Sequence, residues 1–271
     1  MAASRHVPRK RFGQHFLADR VIIERIVTAI DPRPGENIVE IGPGLGALTG
    51  PLLERVGHIH AIEIDRDLST RLRADYPADR LTLHQSDALR FDFASLPTPL
   101  RIVGNLPYNI STPMLFHIAA TAARCADLHF MLQHEVVERM VAAPSEAQYG
   151  RLSVMLQYRF RMNRLFVVAP GSFHPAPKVK SAVVRLVPRP AEELEAADET
   201  VFSRTVARAF SMRRKTLRNS LAGLISADEL AHLGIDPGLR AEALPVAAYV
   251  TISNKVAAEA LQAAPATAGK M

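Results

Sequence analysis

The sequence predicts an α/β domain with a mostly parallel sheet and helices on both faces, followed by a small all-helical domain. Three observations predict it. Over the first two thirds of the 271 residues, short apolar runs alternate with segments whose apolar residues recur at helical spacing. Such alternation implies crossover connections between parallel strands. A glycine-rich turn, Glu40-Ile41-Gly42-Pro43-Gly44-Leu45-Gly46, joins one apolar run to a helical segment. Beyond Pro188-Arg189-Pro190 the strand-like runs stop and only helical spacing remains.

Asp19 predicts an N-cap for a helix over residues 20–30, in which Val21, Ile22, Ile26, Val27 and Ile30 make one face. After the break at Pro34-Gly35 come a strand over 37–41, the glycine turn, and a helix to about residue 56. A strand over 58–64, a helix over 68–76 and strands over 81–84 and 101–104 follow. Ser111-Thr112-Pro113 reads as a serine cap with proline at the first helical position. Residues 128–133 read as a strand and 136–142 as a helix. Residues 159–168 and 182–187 bracket a proline-rich loop and predict an antiparallel hairpin on one edge. The expected division is an α/β domain over 1–187, a linker over 188–200, a helical domain over 201–263 and a disordered tail over 264–271. The helical domain draws on segments 201–210, 216–225, 227–233 and 246–263.

A hydrophobic fraction of 48% supports a well-filled core, and the net charge of +6 is unevenly spread. No acidic residue lies between Glu146 and Glu192, where Arg151, Arg159, Arg161, Arg164, Lys178, Lys180, Arg185 and Arg189 fall. A second such stretch, between Glu199 and Asp228, holds Arg204, Arg208, Arg213, Arg214, Lys215 and Arg218. This asymmetry points to a polyanionic partner, with contacts to phosphates rather than to sequence. Cys125 is alone, which excludes an intramolecular disulfide and fits a reducing, cytoplasmic setting. No apolar run approaches the roughly 18 residues that cross a bilayer, and the basic start from Arg5 to Arg11 lacks the apolar segment of a signal peptide, so no membrane partner is expected. No metal is expected either. His134-Glu135-Val136-Val137-Glu138 lacks the second histidine of the zinc motif, and His58 and His60 alternate on a strand without a cysteine or carboxylate partner.

Asn105-Leu106-Pro107-Tyr108 falls at the mouth of a strand, where α/β sheets place ligands. The Asn side-chain oxygen and a neighbouring main-chain carbonyl can each accept one N–H of an exocyclic amino group, while the tyrosine ring stacks on the plane that carries it. Taken alone the tetrapeptide also fits a turn. The glycines of the earlier turn stand at 42, 44 and 46, one residue short of the dinucleotide fingerprint, which disfavours nicotinamide and flavin dinucleotides. A smaller nucleoside whose charged end is an amino acid fits such a loop. Glu63 ends the next strand, where an acid accepts ribose hydroxyls, and Asp87 follows the third strand, where it can accept from an adenine amino group. Each carboxylate alone could cap a helix. Together with the glycine turn and Asn105 they fall at the ends of four successive strands, and that favours a nucleoside pocket.

The chain resembles the S-adenosylmethionine-dependent ribosomal RNA adenine dimethyltransferases, and within them the housekeeping small-subunit type that modifies two adjacent adenines. The resemblance covers nearly the whole chain. It rests on Phe12-Gly13-Gln14-His15-Phe16-Leu17, the glycine turn, Glu63-Ile64-Asp65, Asp87-Ala88 and Asn105-Leu106-Pro107-Tyr108. It continues through Phe173-His174-Pro175-Ala176-Pro177-Lys178-Val179 and Arg213-Arg214-Lys215-Thr216-Leu217-Arg218-Asn219. It implies a Rossmann-like methyltransferase sheet with S-adenosylmethionine as cofactor. His15, Leu17 and Gly42 would surround the methionine part, Glu63 would hold the ribose hydroxyls and Asp87 the cofactor adenine amino group, with Gln14, Gly44 and Ala88 also binding the cofactor. Asn105 would bridge cofactor and target, with Leu106 and Pro107 completing the catalytic loop. Phe173 would stack on the target base opposite Tyr108. Lys178, Lys180, Arg208, Arg213, Arg214, Lys215 and Arg218 would bind RNA. One departure is visible, since the family often has asparagine where this chain has His15. The partner expected is small-subunit ribosomal RNA in a partly assembled particle, met by a monomer. Alternatives are a large-subunit RNA methyltransferase of the resistance type, a DNA adenine or protein-amide methyltransferase, and a non-catalytic RNA-binding assembly or transcription factor.

Overall fold

The computed structural model describes residues 14–212 and 214–263, so Arg213, the basic start, Phe12-Gly13 and the tail over 264–271 lie outside the described residues. The chain forms two compact units, one taking residues up to 138 together with 160–188, the other 139–159 together with those from 189 onward.

The first unit begins with a two-residue strand, β1 (Phe16–Leu17), and α1 (Arg20–Ile30). Asp19 caps α1 by accepting from the main-chain N–H groups of Val21 and Ile22 at 3.0 and 3.3 Å, satisfying donors that a helix start leaves open. Then come β2 (Asn37–Ile41), α2 (Thr49–Val56), β3 (Ile59–Glu63), α3 (Arg66–Asp75), β4 (Leu81–Gln85), β5 (Leu100–Asn105), α4 (Ser111–Ala119) and β6 (Cys125–Gln133). Ser111 is the first residue of α4 rather than its cap, and its Oγ–H donates to the Pro107 carbonyl at 3.0 Å. The helix α5 (His134–Val141) leads from the sheet toward α6 (Arg151–Arg159), a segment in which sequence reading assigns no helix. After it the chain returns as β7 (Phe160–Val168), β8 (Phe173–His174) and β9 (Ser181–Pro188).

Seven strands form one sheet in the order β4-β3-β2-β5-β6-β9-β7. β4 through β6 are parallel, and β9 and β7 add antiparallel, as the edge hairpin predicts. β2 and β5 lie side by side at the centre with their carboxyl ends together, which brings the glycine turn next to Asn105. Gly104 makes that approach possible, because a Cβ there would stand 2.5 Å from the Ile41 carbonyl oxygen. At the opposite end of the sheet Arg101, buried, binds both carboxylate oxygens of Asp127 at 2.8 and 3.0 Å and donates to the carbonyls of Ile30 and Asp31 that end α1. β1 pairs with β8 in a separate two-stranded sheet, Leu17 opposite Phe173, a pairing with no sequence signal.

The second unit contains α6, α7 (Glu199–Ala209), α8 (Leu217–Ser220), α9 (Ala227–His232) and α10 (Val246–Ala263). Its core joins Val154 and Tyr158 of α6 to Val201, Phe202 and Val206 of α7 and to Tyr249 and Ile252 of α10. The helical unit therefore starts 62 residues earlier than the expected boundary at 201, because α6 presents apolar side chains that only the later helices cover. The helix expected over 216–225 is a single turn, α8.

The acid-free run is less bare in space than in sequence. Within the first unit Arg164 pairs with Glu138, and Arg185 reaches Asp127 at 3.2 Å. Within the second, Arg159 pairs with Glu199, and Arg189 meets Glu193 at 2.8 Å.

Candidate active site

A cavity opens at the carboxyl ends of β2, β3, β4 and β5, lined by the loops that follow them and by the segment entering β1. The glycine turn forms its floor. Gly44 has φ +59°, where a side chain is strained, and a Cβ there would come within 3.1 Å of the Phe16 ring and crowd it. Glu63, 5% exposed, accepts the N–H of Gly44 at 3.2 Å and of Asp65 at 2.9 Å through its two carboxylate oxygens. This ties the end of β3 to the glycine turn and points the carboxylate at the cavity. Asp65 in turn caps α3 through the Asp67 N–H and accepts from Gln14 Nε2 at 3.3 Å. Asp87 accepts the Leu89 N–H at 3.0 Å, and Ala88 beside it is buried. Leu17 both lines the cavity and belongs to the core beneath it.

Asn105 lines the cavity beside the glycine turn. Its Nδ2 donates to the main-chain carbonyl of His15 at 3.0 Å. A carbonyl can only accept, so this bond settles which end of the amide faces His15 and leaves Oδ1 as the end available to a donor in the cavity. The contact is made by the main chain of residue 15, so a histidine there makes it as well as an asparagine. Leu106 is buried with its N–H donating to the Met131 carbonyl, which anchors the loop to β6. Pro107 and Tyr108 follow along the cavity wall. The Tyr108 hydroxyl lies 2.7 Å from Ser181 Oγ at the start of β9, and burial holds its pKa above the usual tyrosine value against that hydrogen bond.

Twelve of the thirteen residues expected at the site thus share one cavity. Phe173 does not. It is 4% exposed and belongs to the core cluster that includes Leu17, Phe166, Val168 and Val183. Lys178 and Lys180 are exposed in the first unit, and Arg208, Arg214, Lys215 and Arg218 in the second. Among the described residues no group of three His, Cys, Asp or Glu side chains could hold a metal ion, and no helix is long and apolar enough to cross a membrane.

Glu40 carries a property that its place in the motif does not announce. It is 2% exposed, and its Oε2 accepts from the Thr49 hydroxyl at 2.6 Å. Burial, with a further push from the Glu63 charge, raises its pKa from 4.5 to about 7 against that hydrogen bond. An acid whose folded pKa lies above its unfolded one costs stability as pH rises between the two values, and the cost is constant above the higher. Glu40→Gln keeps an acceptor for Thr49 and removes the charge. It is expected to gain about 1–3 kcal/mol of stability at pH 8, with the gain gone by pH 4.5. Urea unfolding of both proteins at the two pH values measures it.

A family model described as ribosomal RNA adenine dimethylase matches residues 5–258. The chain belongs to this adenine dimethylase family. It is 62% identical over 260 residues to the Ribosomal RNA small subunit methyltransferase A of Aromatoleum aromaticum, with 96% of this chain and 98% of that one covered. It is likewise 62% identical over 252 residues to the protein of that name from Thiobacillus denitrificans, covering 93% and 99%. Among solved structures it is similar to a dimethyladenosine transferase from Plasmodium falciparum, with TM-score 0.78, 25% identity and coverage of 90% and 98%. It is also similar to the 23S rRNA methyltransferase ErmE, with TM-score 0.68, 26% identity and coverage of 89% and 99%. The adenine dimethylase assignment agrees with the family resemblance read from the motifs, and the mostly parallel sheet with its antiparallel edge agrees with the expected fold.

Proposed function

We propose that this adenine dimethylase transfers methyl groups from S-adenosylmethionine to the amino nitrogens of two adjacent adenines in small-subunit ribosomal RNA. The small-subunit target is supported by the 62% identity to proteins so named, against 26% to the large-subunit enzyme ErmE. The observation that carries the chemistry is the Asn105 amide, turned by the His15 carbonyl so that an acceptor is left toward the cavity.

An adenine amino nitrogen is a poor nucleophile because its lone pair is delocalised into the ring. Acceptors at Asn105 Oδ1 and the Leu106 carbonyl would favour a pyramidal nitrogen and stabilise the positive charge that develops there. No strong base is needed, since the alkylated nitrogen becomes acidic enough to lose its proton to water. Gln14, His15, Leu17, Gly42 and Gly44 would hold the methionine end of the cofactor, Glu63 its ribose, and Asp87 with Ala88 its adenine. The bound cofactor would supply an electrophilic methyl group. Tyr108 would offset part of the few kcal/mol lost when the target base leaves its stack. We place the enzyme in the cytoplasm, as a monomer acting on a partly assembled small subunit.

The test is to map methylated adenines after incubating the protein with S-adenosylmethionine and small subunits that lack the modification. Two adjacent dimethylated adenines are expected, and methylation confined to large-subunit RNA, DNA or protein would overturn the reading. The exposed cations give a second expectation. Reversing charge at Arg214 and Lys215 should weaken RNA binding and flatten its salt dependence by roughly 0.7–0.9 log units per log of salt for each phosphate no longer neutralised. Calorimetry should show unchanged cofactor affinity, and titrations at several salt concentrations give the slope.

A further inference from the structure

The side chain of His15 makes two contacts of its own. Its ring stacks against Tyr108, with centroids 5.5 Å apart and planes at 28°. Nδ1 lies 2.8 Å from the Pro175 carbonyl, and since a carbonyl only accepts, this nitrogen must carry the hydrogen. Only the main chain of residue 15 serves Asn105. The imidazole is therefore fixed by the loop after β8 on one side and by Tyr108 on the other.

A base inserted between the two rings would need two stacking separations of at least about 4.5 Å each, more than the 5.5 Å between their centroids. Stacked on each other, the two rings leave a base only their outer faces. Phe173, the ring expected to complete the target stack, is buried in the core. We infer that the His15 side chain serves the target base: with Tyr108 it forms a two-ring stack that the flipped adenine extends, and it contributes to RNA binding rather than to cofactor binding. This rests on the reading of Tyr108 given under the proposed function.

Three substitutions at one position separate ring from hydrogen bond. His15→Phe keeps an aromatic face without the bond to Pro175, His15→Asn keeps a polar side chain without the ring, and His15→Ala removes both. Base–aromatic stacking is typically worth between about fivefold and a hundredfold in affinity. On that scale His15→Ala and His15→Asn should raise KM for unmodified small subunits about tenfold, and His15→Phe should return it to within about threefold of wild type. Cofactor affinity by calorimetry should stay within about twofold in all three, because the Asn105 contact is to the main chain. Wild-type KM in His15→Ala, full function in His15→Asn, or cofactor affinity falling in step with activity would each overturn the inference. Tyr108→Ala, measured in parallel, separates the two levels. Abolished transfer there beside an unaffected His15→Ala removes this inference alone, whereas wild-type behaviour of Tyr108→Ala removes the site reading and this inference with it.

Discussion

Replacing Asn105 with alanine is expected to lower the single-turnover rate of methyl transfer by about 10²–10³, the usual cost of removing one preorganised group that faces charge developing in a transition state. Melting temperature and cofactor affinity should change far less. Asn105→Asp sharpens the point. An aspartate has the shape of the asparagine and a stronger acceptor, yet it has no N–H to give the His15 carbonyl, which lies 3.0 Å from Nδ2 in the native protein. Two acceptors would face each other there, and the side chain would turn or the segment before β1 would move. The aspartate enzyme should therefore be about as slow as the alanine one, in tritium transfer from S-adenosylmethionine to small subunits. An undiminished rate in Asn105→Asp would show that the nitrogen is activated by proton removal instead.

Glu63 gives the second large effect, on binding. Its two oxygens already accept from the N–H groups of Gly44 and Asp65, and the residue lines the cavity. Hydrogen bonds to a charged group are worth about 1.5–3 kcal/mol each, so on the proposed reading, in which this carboxylate would hold two ribose hydroxyls, its loss should weaken the cofactor by about 10²–10⁴ in Kd. Glu63→Gln is nearly isosteric and should fail almost as badly, because its amide N–H would confront one of the two main-chain N–H groups. Burial raises the pKa of Glu63, against the pull of those two N–H bonds. Cofactor affinity should accordingly begin to fall on acidification at a pH above the ordinary carboxylate range, as the accepting form is lost. Calorimetric titrations from pH 8 to 5 test this, and a flat profile would count against the ribose role.

Much of this is written locally. The Asp19 cap and the face of α1, the glycine turn, and the acids at the ends of β3 and β4 follow from short-range spacing, so the parallel sheet and the pocket at its carboxyl ends are legible from sequence. The β1–β8 pair is not, since strands of two residues have no periodicity and their partners are more than 150 positions apart. The membership of α6 in the helical unit depends on which later helices cover Val154 and Tyr158. Phe173 escapes sequence reading for a related reason: an aromatic in a motif looks the same whether its ring faces a ligand or the core. The raised pKa of Glu40 is a matter of burial and of a neighbouring charge on another strand, neither of which a motif records. The pairing of Arg159, Arg164 and Arg185 with acids distant in sequence likewise makes the acid-free stretch less basic in space than it reads.

The orientation of the Asn105 amide also sets an arithmetic. With Nδ2 committed to the His15 carbonyl, the amide in its proposed role would offer the target nitrogen only an acceptor, and an acceptor holds a nitrogen only while that nitrogen keeps a hydrogen. An unmodified adenine brings two, a monomethylated one brings one, and a dimethylated one brings none. Each turnover thus removes part of what held the substrate in register. The second methyl group leaves nothing for the loop to grip, so the reaction ends by running out of hydrogens, with no separate device needed to count methyl groups.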